Sequence, residues 1–329
     1  MAPTAVADFE KSTGVRVRVS YFDNNDTMEA RLMAGHSGFD VVMTSATAFK
    51  RQIDGGAYRP LDVRLIPNLS QLDPELLQKT AAIDPGGRHG AIYAWGTLGI
   101  LYNRKLVGHA LPGKVIDSWG ALFDPNIAAH LSRCGISFID DAPAVVKLVL
   151  KYLGRNPDSP SDADFADVES TLLAIRPFVR TIDTGTILDT MTNGDGCIAL
   201  DYNSDAFLDR RRAAEAGNGV DIGFVIPKEG SLIWMNWLAI PADAPHVANA
   251  HRFIDHLLDA RTSANFTNLM GSANGNPQSL PLLDASIRAD NLVYPTAEER
   301  ARLFVEAGNS PQRARTVTRI WQRFKTGQR

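Results

Sequence analysis

Cys134 and Cys197 are the two cysteines of the chain, and each opens a strand-like run, Cys134-Gly135-Ile136-Ser137-Phe138-Ile139 and Cys197-Ile198-Ala199-Leu200. On neighbouring strands they could form a disulfide, the chemistry of an oxidising compartment. As buried free thiols they would act as small hydrophobes, and the count alone leaves both readings open. His251 and His256 share a helical segment but stand five residues apart, a poor geometry for holding one metal ion. Both therefore read as surface residues, and no metal site is expected. The sequence contains no GxxxxGK[ST], HExxH, CxxC or GxSxG pattern, so the usual signatures of phosphate-loop, zinc-protease, dithiol and serine-hydrolase chemistry are absent. Asp84-Pro85-Gly86-Gly87 reads as a turn, with no helix signal immediately behind it. No acid/base pair or nucleophile–base constellation marks an enzyme, and no cofactor is expected.

The elements that must position these residues alternate between helix and strand. Residues 4–13 form an amphipathic helix pattern with Val6 and Phe9 on its apolar side, closed by Gly14. Residues 15–21 alternate apolar and polar and predict a strand. A helix over 27–34, a short buried strand over 39–43 and a helix capped by residues 44–47 follow. A continuous apolar strand spans 92–102, and strands at 134–139, 198–200, 224–226 and 232–240 are interleaved with helices at 142–153 and 161–175. Val247, Ala250, Phe253, Ile254 and Leu257 fall at helical spacing, as do Val317, Ile320, Trp321 and Phe324 near the basic C-terminus. This rhythm predicts an α/β fold with a mainly parallel sheet.

The 329 residues leave room for two domains, and 44% hydrophobic with 22% charged residues is ordinary for a globular chain. Apolar runs such as 145–150 fall far short of the roughly 20 residues a membrane helix needs, so the chain is not expected to be membrane-embedded. With a net charge of −3, a strongly basic footprint is missing and nucleic acid is not an expected partner. No basic n-region or apolar h-region opens the chain as given, so it shows no signal peptide.

Several segments, read in order, carry a resemblance. They are Phe9-Glu10-Lys11-Ser12-Thr13-Gly14-Val15, Leu32-Met33-Ala34-Gly35, Gly38-Phe39-Asp40-Val41-Val42, Leu72-Asp73-Pro74-Glu75-Leu76-Leu77, Cys134-Gly135-Ile136-Ser137-Phe138, Pro227-Lys228-Glu229-Gly230 and Ile240-Pro241-Ala242-Asp243-Ala244. Together they resemble the bacterial polyamine-binding proteins, the putrescine and spermidine receptors of ABC importers, over nearly the whole chain. The resemblance implies a type II periplasmic-binding-protein fold: two α/β lobes with a ligand cleft between them. It places lobe 1 at residues 1–98 plus 233–280 and lobe 2 at 99–232 plus 281–329. It also pairs Cys134 with Cys197 in a disulfide. In this family a strand carrying Trp-Ser-x-Tyr precedes the part matching Ala2-Pro3-Thr4, and the given sequence starts after it, which implies that signal peptide and first strand have both been lost.

A polyamine needs aromatic walls for its methylenes and carboxylates for its ammonium groups, because a desolvated cation without a partner is costly. Carried over by position, the ligand-binding residues are Ser45, Asp141, Tyr202, Asp205, Trp234, Asn236 and Ser272. Each has a structural alternative or a departure from the pattern. Ser45 and Asp141 could be helix N-caps, Asp205 a first-turn acid, and Trp234 a core residue. Tyr202 stands where the family usually has Trp, Asn236 where it has its main ammonium-binding aspartate, Ala144 where it has a glutamate, and Ser272 where it has a tyrosine. The implied function is a monomeric, non-enzymatic periplasmic receptor with an altered ligand preference. It would deliver an amine-containing small molecule to ABC transporter permease subunits. The alternatives are a sensory or scaffold binding module, or an enzyme using the same cleft.

Overall fold

The computed structural model describes residues 3–22, 25–305, 308 and 310–328. The chain divides into two compact units. The first comprises the described residues of Met1–Gly96, Trp234–Asp290 and Val305–Gly308; the second, those of Thr97–Ile233, Asn291–Phe304 and Asn309–Arg329. Among the described residues nine strands form: β1 (Val42–Ser45), β2 (Gly90–Asn103), β3 (Ile136–Phe138), β4 (Val179–Ile182), β5 (Ile198–Tyr202), β6 (Ile222–Val225), β7 (Ser231–Ala239), β8 (Ala273–Asn274) and β9 (Leu303–Val305), which pairs with β7. Both β2 and β7 begin in one unit and end in the other.

In the first unit the strand order is β1-β7-β2-β8. β1 runs antiparallel to β7, from Val42 opposite Ala239 to Ser45 opposite Asn236. Tyr93, Leu238, Ile240, Ile254, Leu257 and Phe266 belong to the apolar cluster on one side of this sheet. Ile254 and Leu257 come from the helix Val247–Leu258, whose apolar spacing was legible in the sequence. On the other side Phe49 stacks on Trp237 with ring centroids 5.2 Å apart. The helix Pro3–Thr13 buries Ala5 and Phe9, and Phe9 meets Phe253 edge-on at 4.9 Å.

Three sequence expectations are corrected in this unit. Residues 15–21 form no strand. Alternation fixes which side chains lean inward, and Val15 and Val17 are indeed half-buried while Arg16 and Arg18 are exposed. A strand also needs a hydrogen-bonded neighbour, which alternation does not supply. His251 is buried rather than superficial: its Nε2 accepts from the Asp62 N–H at 3.0 Å, so its Nδ1–H donates to the Val247 carbonyl at 2.8 Å. Both nitrogens serve the fold. Finally, the sequence puts the third crossing between units at 280/281, but the chain stays with the first unit to Asp290. The turn Pro277–Leu282 is held there because the Asn274 amide donates to Thr267 Oγ1 and Ser279 Oγ, and the Asp284 N–H donates to Asn268 Oδ1.

In the second unit the order is β6-β2-β5-β3-β4. β3 is parallel to both β4 and β5, whereas β2 is antiparallel to β5 and to β6. The expected mainly parallel sheet therefore holds only in part. The helix Asn203–Ala216 connects β5 to β6, which run in the same direction, but β2 is inserted between them with opposite sense. Gly99 permits that insertion, since a Cβ there would lie 2.3 Å from Phe224 Cζ and 2.6 Å from the Val225 carbonyl. The helix Pro311–Thr326 buries Val317, Ile320, Trp321 and Phe324, as their spacing predicts. Its basic residues pair back onto the unit, Lys325 with Asp140 at 2.6 Å and Arg323 with Glu169 at 2.7 Å. Cys134 and Cys197 form a disulfide, just ahead of the neighbouring strands β3 and β5. Among the described residues no helix is long and apolar enough to cross a membrane.

Candidate functional site

In the second unit, β5 ends at Tyr202 and the helix Asn203–Ala216 begins on the next residue. Asp205 sits in its first turn and is half-buried. The Tyr202 hydroxyl donates to Asp141 Oδ2 at 3.2 Å, and the Ala144 N–H donates to Asp141 Oδ1 at 3.1 Å. Asp141 is thus the N-cap of the helix Ala142–Tyr152 and the partner of Tyr202 at once. Three residues named from the sequence therefore meet within one unit. Burial raises the Asp141 carboxyl above its ordinary range, against the lowering effect of its two hydrogen bonds. Burial likewise raises Asp205, opposed by a hydrogen bond from Ser204. Burial, then the charge of Asp141, pushes the Tyr202 phenol up, so it stays a neutral donor. Asp140, one residue before Asp141, faces outward and is bonded to Trp321 Nε1 and Lys325 Nζ.

Two further carboxylates lie beside this group and escaped the sequence reading. Asp201 is 1% exposed and Asp209 fully buried. Asp201, Asp205 and Asp209 recur every four residues, which places Asp205 and Asp209 one turn apart on a single helix face. That spacing was the available signal. Burial raises Asp201, with the charge of Asp205 adding to the effect. Burial pushes Asp209 up to about 7, the Thr192 hydrogen bond opposing and the charge of Asp205 adding.

A carboxyl raised from its unfolded value of about 4 binds its proton more tightly in the folded protein, so its stabilising contribution is present at low pH and fades as pH rises through about 7. Between pH 5.5 and 8 the wild type should lose about 2 kcal/mol that Asp209→Asn does not lose. Urea unfolding at both pH values checks this, and parallel slopes for the two proteins would contradict it.

In the first unit, Asn236 lies directly opposite Ser45 across the β1–β7 ladder. Trp234 and Asn236 are alternate residues of β7, hence on one face, and both are half-buried. Trp234 also packs against the apolar cluster of this unit. Ser45 is the N-cap residue of the helix Ala46–Asp54, with extended backbone (φ −88°, ψ 163°) and no side-chain capping bond. Ser272 is buried immediately before β8. This unit thus presents an aromatic ring and neutral hydrogen-bonding groups, and the second presents carboxylates and a phenol. Carboxylates and a phenol of the kind found in the second unit can pair with an ammonium group. Among the described residues no group of three or more His, Cys, Asp or Glu side chains could hold a metal ion.

A family model described as bacterial extracellular solute-binding protein matches residues 4–295. The chain is 37% identical to the putrescine-binding periplasmic protein PotF of Escherichia coli (strain K12), covering 99% of this chain and 89% of PotF. It is 35% identical to a putrescine/agmatine-binding protein of Pseudomonas aeruginosa, again covering 99% of this chain and 89% of the relative. Among solved structures, the spermidine/putrescine ABC transporter substrate-binding protein PotD of Streptococcus pneumoniae superimposes with a TM-score of 0.87 at 22% identity. That match covers 100% of this chain and 96% of PotD, and it shows the shared fold.

Proposed function

The chain belongs to the bacterial extracellular solute-binding protein family, and we propose that it is a periplasmic receptor that binds a polyamine or a related amine and delivers it to the permease subunits of an ABC importer. The observation that carries this reading is the group of Asp205, Tyr202 and Asp141 in the second unit. A half-buried carboxylate is costly to ionise in an apolar setting, and an ammonium beside it offsets that cost. The relatives whose names specify putrescine or agmatine support the same ligand class. Release of an unchanged ligand, without turnover, is the expected behaviour.

Recognition is lopsided in charge. In the first unit Ser45, Asn236 and Ser272 can donate and accept hydrogen bonds but carry no charge, while Trp234 supplies an apolar face. Asp205 accordingly takes an ammonium group, whereas the first unit's residues offer only neutral hydrogen-bonding groups, so a ligand with a single ammonium is preferred. Titration calorimetry with putrescine, spermidine and agmatine tests this. Low-micromolar or tighter binding of putrescine would defeat the altered preference. Asn236→Asp should then restore affinity for a second ammonium. A charged hydrogen bond is worth about 1.5–3 kcal/mol, so putrescine should bind ten- to a hundredfold more tightly to the variant. Unchanged putrescine affinity in Asn236→Asp would remove Asn236 from the ligand set.

A further inference from the structure

Asp209 has a carboxylate oxygen that the proposed ligand contacts do not use. The Thr192 hydroxyl donates to Oδ1 at 2.7 Å, while Oδ2 is buried without a hydrogen-bond partner. A fully buried carboxylate with one oxygen unmatched is an expensive group to keep ionised, and a proton on that oxygen removes most of the cost. Asp205 stands one helical turn away on the same face, and Asp201, also buried, is the next-to-last residue of the strand that feeds this helix.

The surroundings of Asp209 leave the carboxylates to balance one another. The helix Thr184–Thr192 presents Thr192 and Asp189 towards it, β5 presents Asp201, and β6 presents no titratable side chain. On its own helix the acting groups are Asp205 and Arg212, and Arg212 is exposed and lies 3.5 Å from Asp189. Adding a second negative charge to this set is therefore opposed mainly by the first.

We infer that Asp201, Asp205 and Asp209 act as one proton-sharing column, so that an ammonium seated on Asp205 drives a proton from the column into solvent and amine affinity rises with pH. This rests on the proposed binding of an amine at Asp205. The step is balanced: a protonated column and an ammonium ligand give an ionised column paired with that ammonium and one released proton. The raised affinities of Asp201 and Asp209 for a proton agree with it. Aliphatic ammonium groups titrate near 10, so the ligand itself keeps its charge between pH 6 and 8.

Calorimetry of the full chain with putrescine and with agmatine, at pH 7 in phosphate and in Tris, reads the proton directly. We expect release of about half a proton and a rise in affinity of about tenfold from pH 6 to 8. Asp209→Asn should release less than half as much; should that variant not fold, Asp201→Asn serves the same purpose. Binding heats that do not depend on the buffer would overturn the inference. If neither amine binds, the amine reading fails separately, and the column is then read on the ligand-free protein by carbon NMR of the aspartate carboxyls. A titration near neutrality that vanishes in Asp209→Asn supports the column. Titration of every aspartate below pH 5 overturns it.

Discussion

Asp205→Asn is expected to weaken binding of an amine ligand by about two orders of magnitude while making the ligand-free protein slightly more stable. Breaking a buried ion pair by removing one partner costs about 3–5 kcal/mol, because the remaining charge is left desolvated. Asp205 is half-buried, so the lower part of that range applies, and 1.4 kcal/mol corresponds to a tenfold change in affinity. The gain in stability has a separate cause. Without ligand, burial and the neighbouring Asp201 and Asp209 make ionisation of Asp205 costly, and an amide of the same shape carries no such cost. The two effects have opposite signs, which separates loss of an ammonium partner from general damage, since a merely misfolded variant would lose both. Asp140→Asn provides the comparison. Asp140 is exposed and bonded to Lys325 and Trp321, so its loss should leave ligand affinity within a few-fold of wild type. Calorimetry and thermal melts of the two variants decide the matter, and wild-type affinity in Asp205→Asn would remove that residue from the site.

Much of this arrangement was readable in the residues. The stripe Val317, Ile320, Trp321, Phe324 predicts its buried helix because one face of a helix is determined by local spacing alone. The run 92–102 predicts β2 because a strand buried on both faces is apolar throughout. Strand direction was not readable in the same way. β5, the helix Asn203–Ala216 and β6 carry the sequence rhythm of a parallel crossover, yet β2 enters between the two strands from a distant part of the chain. The extended segment 15–21 failed for a related reason, as pairing depends on a neighbour that the segment itself does not encode. His251 was misplaced because a buried imidazole is acceptable once both nitrogens are bonded, and its partners Asp62 and Val247 include one 189 positions away.

The candidate site divides along the same line. Asp141 and Ser45 each allow a capping role from sequence. The structure shows that Asp141 caps its helix with one oxygen and accepts from Tyr202 with the other, so capping leaves its second oxygen directed at Tyr202. Asp201 and Asp209 were open to detection from their four-residue spacing around Asp205. They were missed because acids at that spacing on a helix usually lie in water, and only the burial of this face makes them consequential.

Replacing both cysteines with alanine should cost the second unit about 4 kcal/mol of stability and leave ligand affinity nearly unchanged. The disulfide joins residues 63 apart in sequence, and closing a loop of that length in the unfolded chain corresponds to about 4 kcal/mol in the chain-entropy account. Cys197 is fully buried, so alanine avoids leaving a hydroxyl without a partner, as serine would. In the folded protein the bond has little left to organise. β3 and β5 already pair from Ile136 opposite Ile198 to Phe138 opposite Leu200, and the Cys197 N–H bonds the Gly135 carbonyl. Tyr202 and Asp205 lie beyond that paired stretch and are positioned by β2 and by the helix start. Stability and recognition should therefore separate in this variant, whereas in Asp205→Asn they move in opposite directions. Denaturant unfolding should show a lower midpoint for the double variant, with calorimetric affinity within a few-fold of wild type. Reduction of the wild type with a strong dithiol should reproduce the same shift. A large loss of affinity in folded Cys134→Ala/Cys197→Ala protein would mean that the disulfide holds the end of β5 in its binding position, so that strand pairing alone is not enough.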